Sequence, residues 1–278
     1  MKKSNLILNS FMQSFAKIWN NKSLFALLFV LQIAFFGLFF SISLKYQTKI
    51  MEDLRGISDY LSQQQLDDFS IAQNMLQQKD ILGEDPLIIS KLYNEMEKNF
   101  RIYLIFTFIL LTSFVSLVWT LTSLLVQKDK KHLLRNFSKN FIIMLCYLGL
   151  IFSFFYSLFS ISLTEAASQG TGIFIKYVPF LIITPLLIYF MFISLSLSNK
   201  ISLGKIVEKT LLIGVKKIHY ILSAHAINIV LFVIPIILLY NFLEENLLVL
   251  LLSVILLIFS FVFGRIFLAN VVDRLENL

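Results

Sequence analysis

The sequence predicts an all-α polytopic membrane protein with six transmembrane helices. Three observations carry this: six long apolar stretches, basic residues crowded into alternate gaps between them, and Trp and Tyr at the ends of the stretches. One helical crossing of a ~30 Å hydrocarbon core takes ~20 mainly apolar residues. Residues 24–44, 102–126, 141–163, 177–198, 221–243 and 247–268 each meet that requirement. Hydrophobic residues make up 58% of the chain and charged residues 15%, against roughly 45–50% and 25% in soluble domains, which excludes the ordinary soluble classes. Twenty-nine Phe and only four Pro suit long helices better than a β-rich fold.

Taken in order, the segment before the first span (11–22) is basic and amphipathic. The first apolar run, 21 residues, exceeds the 7–15 of a signal-peptide core, so it reads as a retained anchor despite the small residues Ser41 and Ser43. The following gap, 45–101, is too long for a structureless loop in a compact domain and reads as a small extracytoplasmic helical insertion. Ile50, Leu54, Ile57 and Leu61 recur at helical spacing, continuing the first span outward. Ser62-Gln63-Gln64-Gln65 fits a capping box for a second helix towards Lys79, ending near Gly83. Asp85-Pro86 fits the start of a third, which carries Leu92 and Met96 on one face and runs into the second span. The insertion holds ten acidic and seven basic residues, so a docking surface for a protein partner is one expectation and an inert cover over the bundle the other.

Each odd-numbered span is preceded by a basic amphipathic stretch: 11–22, 130–139 and 203–218. These read as interfacial helices, repeated three times in an interfacial helix, span, span pattern. In the third, Leu203, Ile206, Val207, Leu211 and Val215 form an apolar face and Lys205, Glu208, Lys209 and Lys216 lie elsewhere. Such a helix lies in the headgroup plane with its lysines reaching water. The whole chain, 1–278, reads as a single membrane domain.

The charges set the orientation. Lys and Arg accumulate in short cytoplasmic loops. The N-terminus, the second and fourth gaps and the C-terminal stretch together carry sixteen, whereas the two short gaps on the other side carry one, Lys176. Both termini are therefore expected in the cytoplasm. Tyr46, Tyr103, Tyr177 and Tyr240 fall at the outer ends of spans, and Trp19, Trp119 and Tyr220 at the inner ends. The net charge of +7 is accounted for by anionic headgroups rather than nucleic acid. The expected headgroup contacts are Lys128, Lys130, Lys131, Arg135, Lys205, Lys209, Lys216 and Lys217.

Polar groups at membrane depth are functional candidates because they are costly there. His225 and Asn228 share a face of the fifth span, and Arg265 and Asn270 lie at the inner end of the sixth. Only Glu244-Glu245-Asn246 joins those spans, so they are antiparallel neighbours with His225 and Arg265 at similar depth. The cluster His225, Asn228, Arg265 reads either as an interhelical clamp, with Arg265 reaching lipid phosphate, or as a pocket for an anionic group. Gln32 reads as an interhelical hydrogen-bonding residue. Ser116-Thr120, Ser153-Ser157, Ser194-Ser198 and Ser260-Gly264 read as small-residue pairs for close helix approach. Pro185 and Pro235 are candidate kinks and Pro179 a helix-start proline. Cys146 reads as a lone buried thiol.

His132, His219 and His225 have no metal-ligand spacing, and no phosphate loop, nucleophile elbow or deep carboxylate occurs. No cofactor and no catalytic residue is expected.

Ser202-Leu203-Gly204 followed by Lys216-Lys217, together with Ser14-Phe15-Ala16 and Asn21-Lys22-Ser23-Leu24, resembles a group of prokaryotic six-span proteins. That group includes the membrane domain attached to some glycerophosphodiester phosphodiesterases. The resemblance implies a membrane module without its catalytic domain, and the long outer gap departs from it. Glu208-Lys209-Thr210 with Gly214 also resembles part of the coupling motif of ABC permeases, although Ala224 and Ala226 stand where that motif has Ile and Leu. The expectation is a non-enzymatic integral scaffold or accessory module of the prokaryotic cell membrane. The alternative is a transporter or permease subunit with its polar site near His225, Asn228 and Arg265.

Overall fold

A computed structural model describes residues 6–63, 86–127, 132–166, 172–242 and 247–277. Among them are eight α-helices and no strand: α1 Leu6–Asn20, α2 Lys22–Gln63, α3 Pro86–Gln127, α4 Leu133–Ala166, α5 Gly172–Leu197, α6 Leu203–Lys216, α7 Ile218–Asn241 and α8 Leu247–Glu276. Helices α2, α3, α4, α5, α7 and α8 are long and apolar enough to cross a membrane. They coincide with the six expected spans, so the chain is an all-α multi-pass membrane protein.

The helix ends follow local sequence. Asn21 closes α1, its Nδ2 donating to the Lys17 carbonyl at 2.9 Å, and the Lys22 ammonium lies 4.1 Å from the centre of the Trp19 ring. Pro86 opens α3 as expected, since its missing N–H has no partner at a first helical position. At 42 residues each, α2 and α3 rise about 63 Å, twice the hydrocarbon thickness. Helix α2 passes through Ser62 to Gln63 without a break, so its outer part does not end before the expected cap. The second insertion helix, Gly83 and Asp85 lie outside the described residues. So do Lys128, Lys130 and Lys131.

Two further expectations change. The stretch 130–139 is not a separate interfacial helix; from Leu133 it is the beginning of α4. Pro179 stands inside α5, which begins at Gly172.

The chain forms two compact units. The first comprises Met1–Phe36, Thr112–Tyr147 and Leu186–Leu278, the second Gly37–Leu111 and Leu148–Pro185.

In the first unit α8 is the central post. Its later half is almost wholly buried, with Val262, Phe263, Ile266, Phe267, Val271, Val272 and Leu275 fully enclosed. Helix α7 packs antiparallel on it: Ser260 Oγ donates to the Leu231 carbonyl at 2.9 Å, and the Phe232 and Phe261 ring centres are 4.5 Å apart. Helix α1 packs on another side, Phe11 and Phe15 meeting Phe263 at 5.2 and 4.6 Å. There Asn270 Nδ2 donates to the Ser10 carbonyl at 2.9 Å and to Ser14 Oγ at 3.3 Å, while Lys17 Nζ donates to Asn270 Oδ1 at 2.8 Å.

Many hydroxyls in this unit are satisfied within helices or between them, whereas Ser10 Oγ and Thr112 Oγ1 are buried with no partner among the described residues. Thr120 and Thr122 donate to carbonyls four residues back, at 2.7 and 2.8 Å. The pairs Ser116-Thr120, Ser194-Ser198 and Ser260-Gly264 are buried, as expected of packing pairs. Gln32 is buried too, but its Oε1 accepts no hydrogen bond.

In the second unit the outer parts of α2 and α3 run antiparallel. Ser43 and Tyr103 hydroxyls lie 3.2 Å apart, Asn99 Nδ2 donates to Asp53 Oδ2 at 3.1 Å, and Gly56 faces Leu92. The pairing face is thus Asp53, Gly56 and Ile57 rather than the expected Ile50-Leu54-Ile57 stripe; Leu54 is exposed. Ser153 and Ser157 are exposed, unlike the other three small-residue pairs, and Cys146, in the first unit, is exposed rather than buried.

The exposed surface of α7 and early α8 is largely Leu, Ile and Val, while Asn228, Ser253 and Ser260 are buried. This inversion of the soluble pattern fits lipid as the surroundings. Asn270 is the main polar tie between α1 and the post. Substituting Asn270 by Ala removes its hydrogen bonds with Lys17, the Ser10 carbonyl and Ser14 Oγ, at a cost of about 1–3 kcal/mol. The expected outcome is a lower thermal midpoint in detergent and faster proteolysis within α1.

Candidate functional site

Asn228 meets α8 at Gly264, the residue before Arg265, across the α7–α8 seam. Asn228 Nδ2 donates to the Gly264 carbonyl at 3.1 Å, and a Cβ on Gly264 would stand 3.1 Å from Asn228 Oδ1, so only glycine fits without displacement. The antiparallel register, with Asn228 at Gly264 and Leu231 at Ser260, sets Arg265 level with Ile227 and Asn228.

His225 lies one turn away but turns elsewhere. Its ring sits 5.9 Å from Tyr189 and 6.3 Å from Phe192, and Phe192 stacks on the buried Trp119 at 5.9 Å. The three candidates therefore occupy one region without one hydrogen-bonded centre.

Several polar atoms in this region are buried without a partner: Arg265 Nε and Nη2, His225 Nε2, Asn228 Oδ1 and Trp119 Nε1. Guanidinium nitrogens left without acceptors among the described residues are costly in such a place. Chemically the region offers donors for an anion and no nucleophile–base pair.

Basic residues divide by what they touch. Arg135, Lys205, Lys209 and Lys216 are exposed and free to meet headgroups. Lys217 departs from expectation: its ammonium donates to the Leu275 carbonyl at the end of α8. That position satisfies a helix C-terminus that has no further N–H of its own. Lys139 does the same for the chain after α5, donating to the Ser198 and Ile201 carbonyls at 3.1 and 2.9 Å. Lys200 is ion-paired with Asp273 at 2.8 Å and Glu276 at 3.2 Å.

Helix α6 shows three faces. Ile206, Thr210, Ile213 and Gly214 are buried; Val207, Leu211 and Val215 form an exposed apolar stripe; Lys205, Lys209 and Lys216 lie beside it. Gly214 has a packing reason: a Cβ there would meet Phe190 at 2.6 Å, and Tyr189 donates to the Gly214 carbonyl at 2.8 Å. Helix α1 has a comparable arrangement. Ser10 and Ser14 are fully buried, whereas Leu8, Met12, Phe15 and Trp19 point outward, Trp19 being 72% exposed.

The sequence reading missed Asn140. Its Nδ2 donates to Thr120 Oγ1 at 2.9 Å and its Oδ1 accepts from Ser198, tying α3, α4 and the end of α5. The signal was present as two amides, Asn136 and Asn140, one turn apart before the third span; both are buried.

Comparison with protein families, curated proteins and solved structures finds no match to this chain.

Two outcomes follow from these contacts. Replacing Arg265 by Leu removes a half-buried cation with two nitrogens that lack acceptors among the described residues, and the thermal midpoint should rise, by the equivalent of about 1–4 kcal/mol. A fall would mean that the guanidinium is compensated in the membrane. The second concerns alkaline pH. Burial lowers the Lys200 pKa, but hydrogen bonds and charges from Asp273 and Glu276 outweigh it, so the net shift is upward from 10.5. A raised lysine pKa stabilises the fold fully below the unfolded value and the contribution disappears as pH climbs through the folded one. Stability should therefore drop above pH 10.5, and Lys200→Arg should delay the drop in a pH series of thermal melts.

Proposed function

We propose that this protein is a non-enzymatic integral membrane scaffold or accessory module of a prokaryotic cell membrane, with both termini cytoplasmic. Its basic in-plane helices hold anionic lipid, and its α2–α3 hairpin is available to a protein partner. The observation that carries this reading is the outward apolar stripe on α6 flanked by exposed Lys205, Lys209 and Lys216. Helix α1 supports it, since its hydroxyl face is turned inward and its apolar face outward. A helix with that arrangement is stable at a headgroup boundary, where acyl chains meet the stripe and lysines meet phosphate. The resemblance to six-span modules that accompany glycerophosphodiester phosphodiesterases points the same way. The charge asymmetry between alternate gaps supports the orientation.

A second reading, a transporter or permease subunit, is favoured by the unpartnered nitrogens of Arg265 near His225 and Asn228. An anionic substrate would supply the missing acceptors. If so, soluble anions should raise the thermal midpoint of the native protein and not of the Arg265→Leu variant.

The lipid reading is tested by thermal unfolding in nanodiscs of phosphatidylglycerol or phosphatidylcholine. A ligand that binds the folded state stabilises it, and a lysine near an anionic surface contributes about 1 kcal/mol. The native protein should be more stable in phosphatidylglycerol, and changing Lys205, Lys209 and Lys216 together to Gln should remove most of that difference. Equal stability of the native protein in both lipids would refute the reading.

A further inference from the structure

We propose that the cleft between α3 and α4 in the second unit is a lipid site, holding one acyl chain of a phospholipid whose anionic headgroup sits at Arg101. The cleft has a volume of about 480 Å³, within the ~300–1,000 Å³ of built small-molecule sites. Leu104, Ile105 and Phe108 line it from α3, and Gly149 and Phe152 from α4. Phe108 and Phe152 meet edge to face at 5.4 Å, and Ile105 is exposed, so the cleft opens sideways from the helix pair.

Gly149 is the reason for part of this space. A Cβ built there meets nothing within 4 Å. A side chain at this position would therefore start in open space beside the cleft.

The headgroup end is polar on one side only. The Arg101 guanidinium lies 5.8 Å from the Tyr156 ring centre and pairs with Glu97, yet its side chain stays 53% exposed. A guanidinium has five N–H donors, more than one carboxylate can engage. Lys98, close by on α3, is exposed and adds a second positive charge.

Depth fits as well. Arg101 immediately precedes the apolar stretch 102–126, which sets it at headgroup level. Phe108 is seven residues deeper, ~10 Å along the helix, inside the ~15 Å that one leaflet occupies. The apolar lining below Arg101 offers a free phosphate nothing to hold, whereas an acyl chain fills it.

The test is photo-crosslinking in phosphatidylcholine vesicles doped with phosphatidylglycerol that carries a photoactivatable acyl chain, with adducts mapped by mass spectrometry. Adducts should concentrate on Leu104, Ile105, Phe108 and Phe152, and unlabelled phosphatidylglycerol should compete better than unlabelled phosphatidylcholine. Gly149→Phe should cut cleft adducts about tenfold while leaving those on α7 unchanged. Arg101→Gln should keep the adducts but abolish the headgroup preference. Should Gly149→Phe fail to fold, Ser153→Phe, at an exposed position on the same wall, is read in its place. Adducts spread evenly over lipid-facing helices, or unaltered by the plugging variant, overturn the proposal. Because the lysines of α6 remain in every variant, this result is separable from the headgroup reading above.

Discussion

In a bilayer, apolar side chains gain little by leaving lipid for one another, so helices are held by close approach and hydrogen bonds. Helix α8 is built around that constraint. Ser260, Gly264 and Asn270 recur along its buried half, and each is a point of attachment: Ser260 and Gly264 for α7, Asn270 for α1. The bulky residues between them, Phe263 and Phe267, fill the spaces that the small ones leave, stacking on one another at 6.3 Å. The other half of the helix, beginning Leu247-Leu248, has no such residues until Ser253 and turns much of its surface outward. The first unit's organisation follows from where α8 places small and polar side chains.

The short helices extend the same logic to the membrane boundary. A soluble amphipathic helix would bury leucines and expose serines. Helix α1 does the reverse, with Ser14 Oγ satisfied by the Ser10 carbonyl at 2.8 Å and Asn270 reading the same carbonyl. The inward Ser14 hydroxyl and the Ser10 carbonyl therefore have partners, whereas Ser10 Oγ has none among the described residues, and the apolar residues of α1 face outward. Helix α6 uses glycine instead of serine to approach α5, then leaves Val207, Leu211 and Val215 outside. Two different local solutions present an apolar stripe beside positive charge.

The spans, their number and the antiparallel α7–α8 pair were legible in the sequence because each depends on composition over twenty residues or on a very short connection. The individual fates of charges were not. Lys205 and Lys217 look alike in a charge count, but one is exposed and the other completes the end of α8. That distinction depends on which helix end lies within reach of a flexible side chain, and periodicity does not encode it. Asn140 was missed for a similar reason: its partners Thr120 and Ser198 are distant in sequence and acquire meaning only through packing. Of the apolar face read for α6, Leu203, Val207, Leu211 and Val215 are exposed but Ile206 is turned inward with Thr210 and Gly214, two residues that a hydrophobicity pattern passes over.

Arg265 remains the least economical residue in the molecule. Asp273, the nearest acid towards the end of α8, is eight residues on, ~12 Å along the axis, and is already engaged by Lys200. Gly264 and Ile266 on either side are buried, so the chain there is fixed and the guanidinium has limited freedom to move towards the boundary. Packing alone would have been served better by leucine or methionine at this position. Asn228, on the facing helix, carries an acceptor, Oδ1, that also has no partner among the described residues. Glycine at 264 keeps Asn228 Nδ2 on the backbone carbonyl, and a Cβ there would push against that amide. The arrangement thus ties α7 to α8 through an amide and leaves two guanidinium nitrogens beside that tie without an acceptor among the described residues.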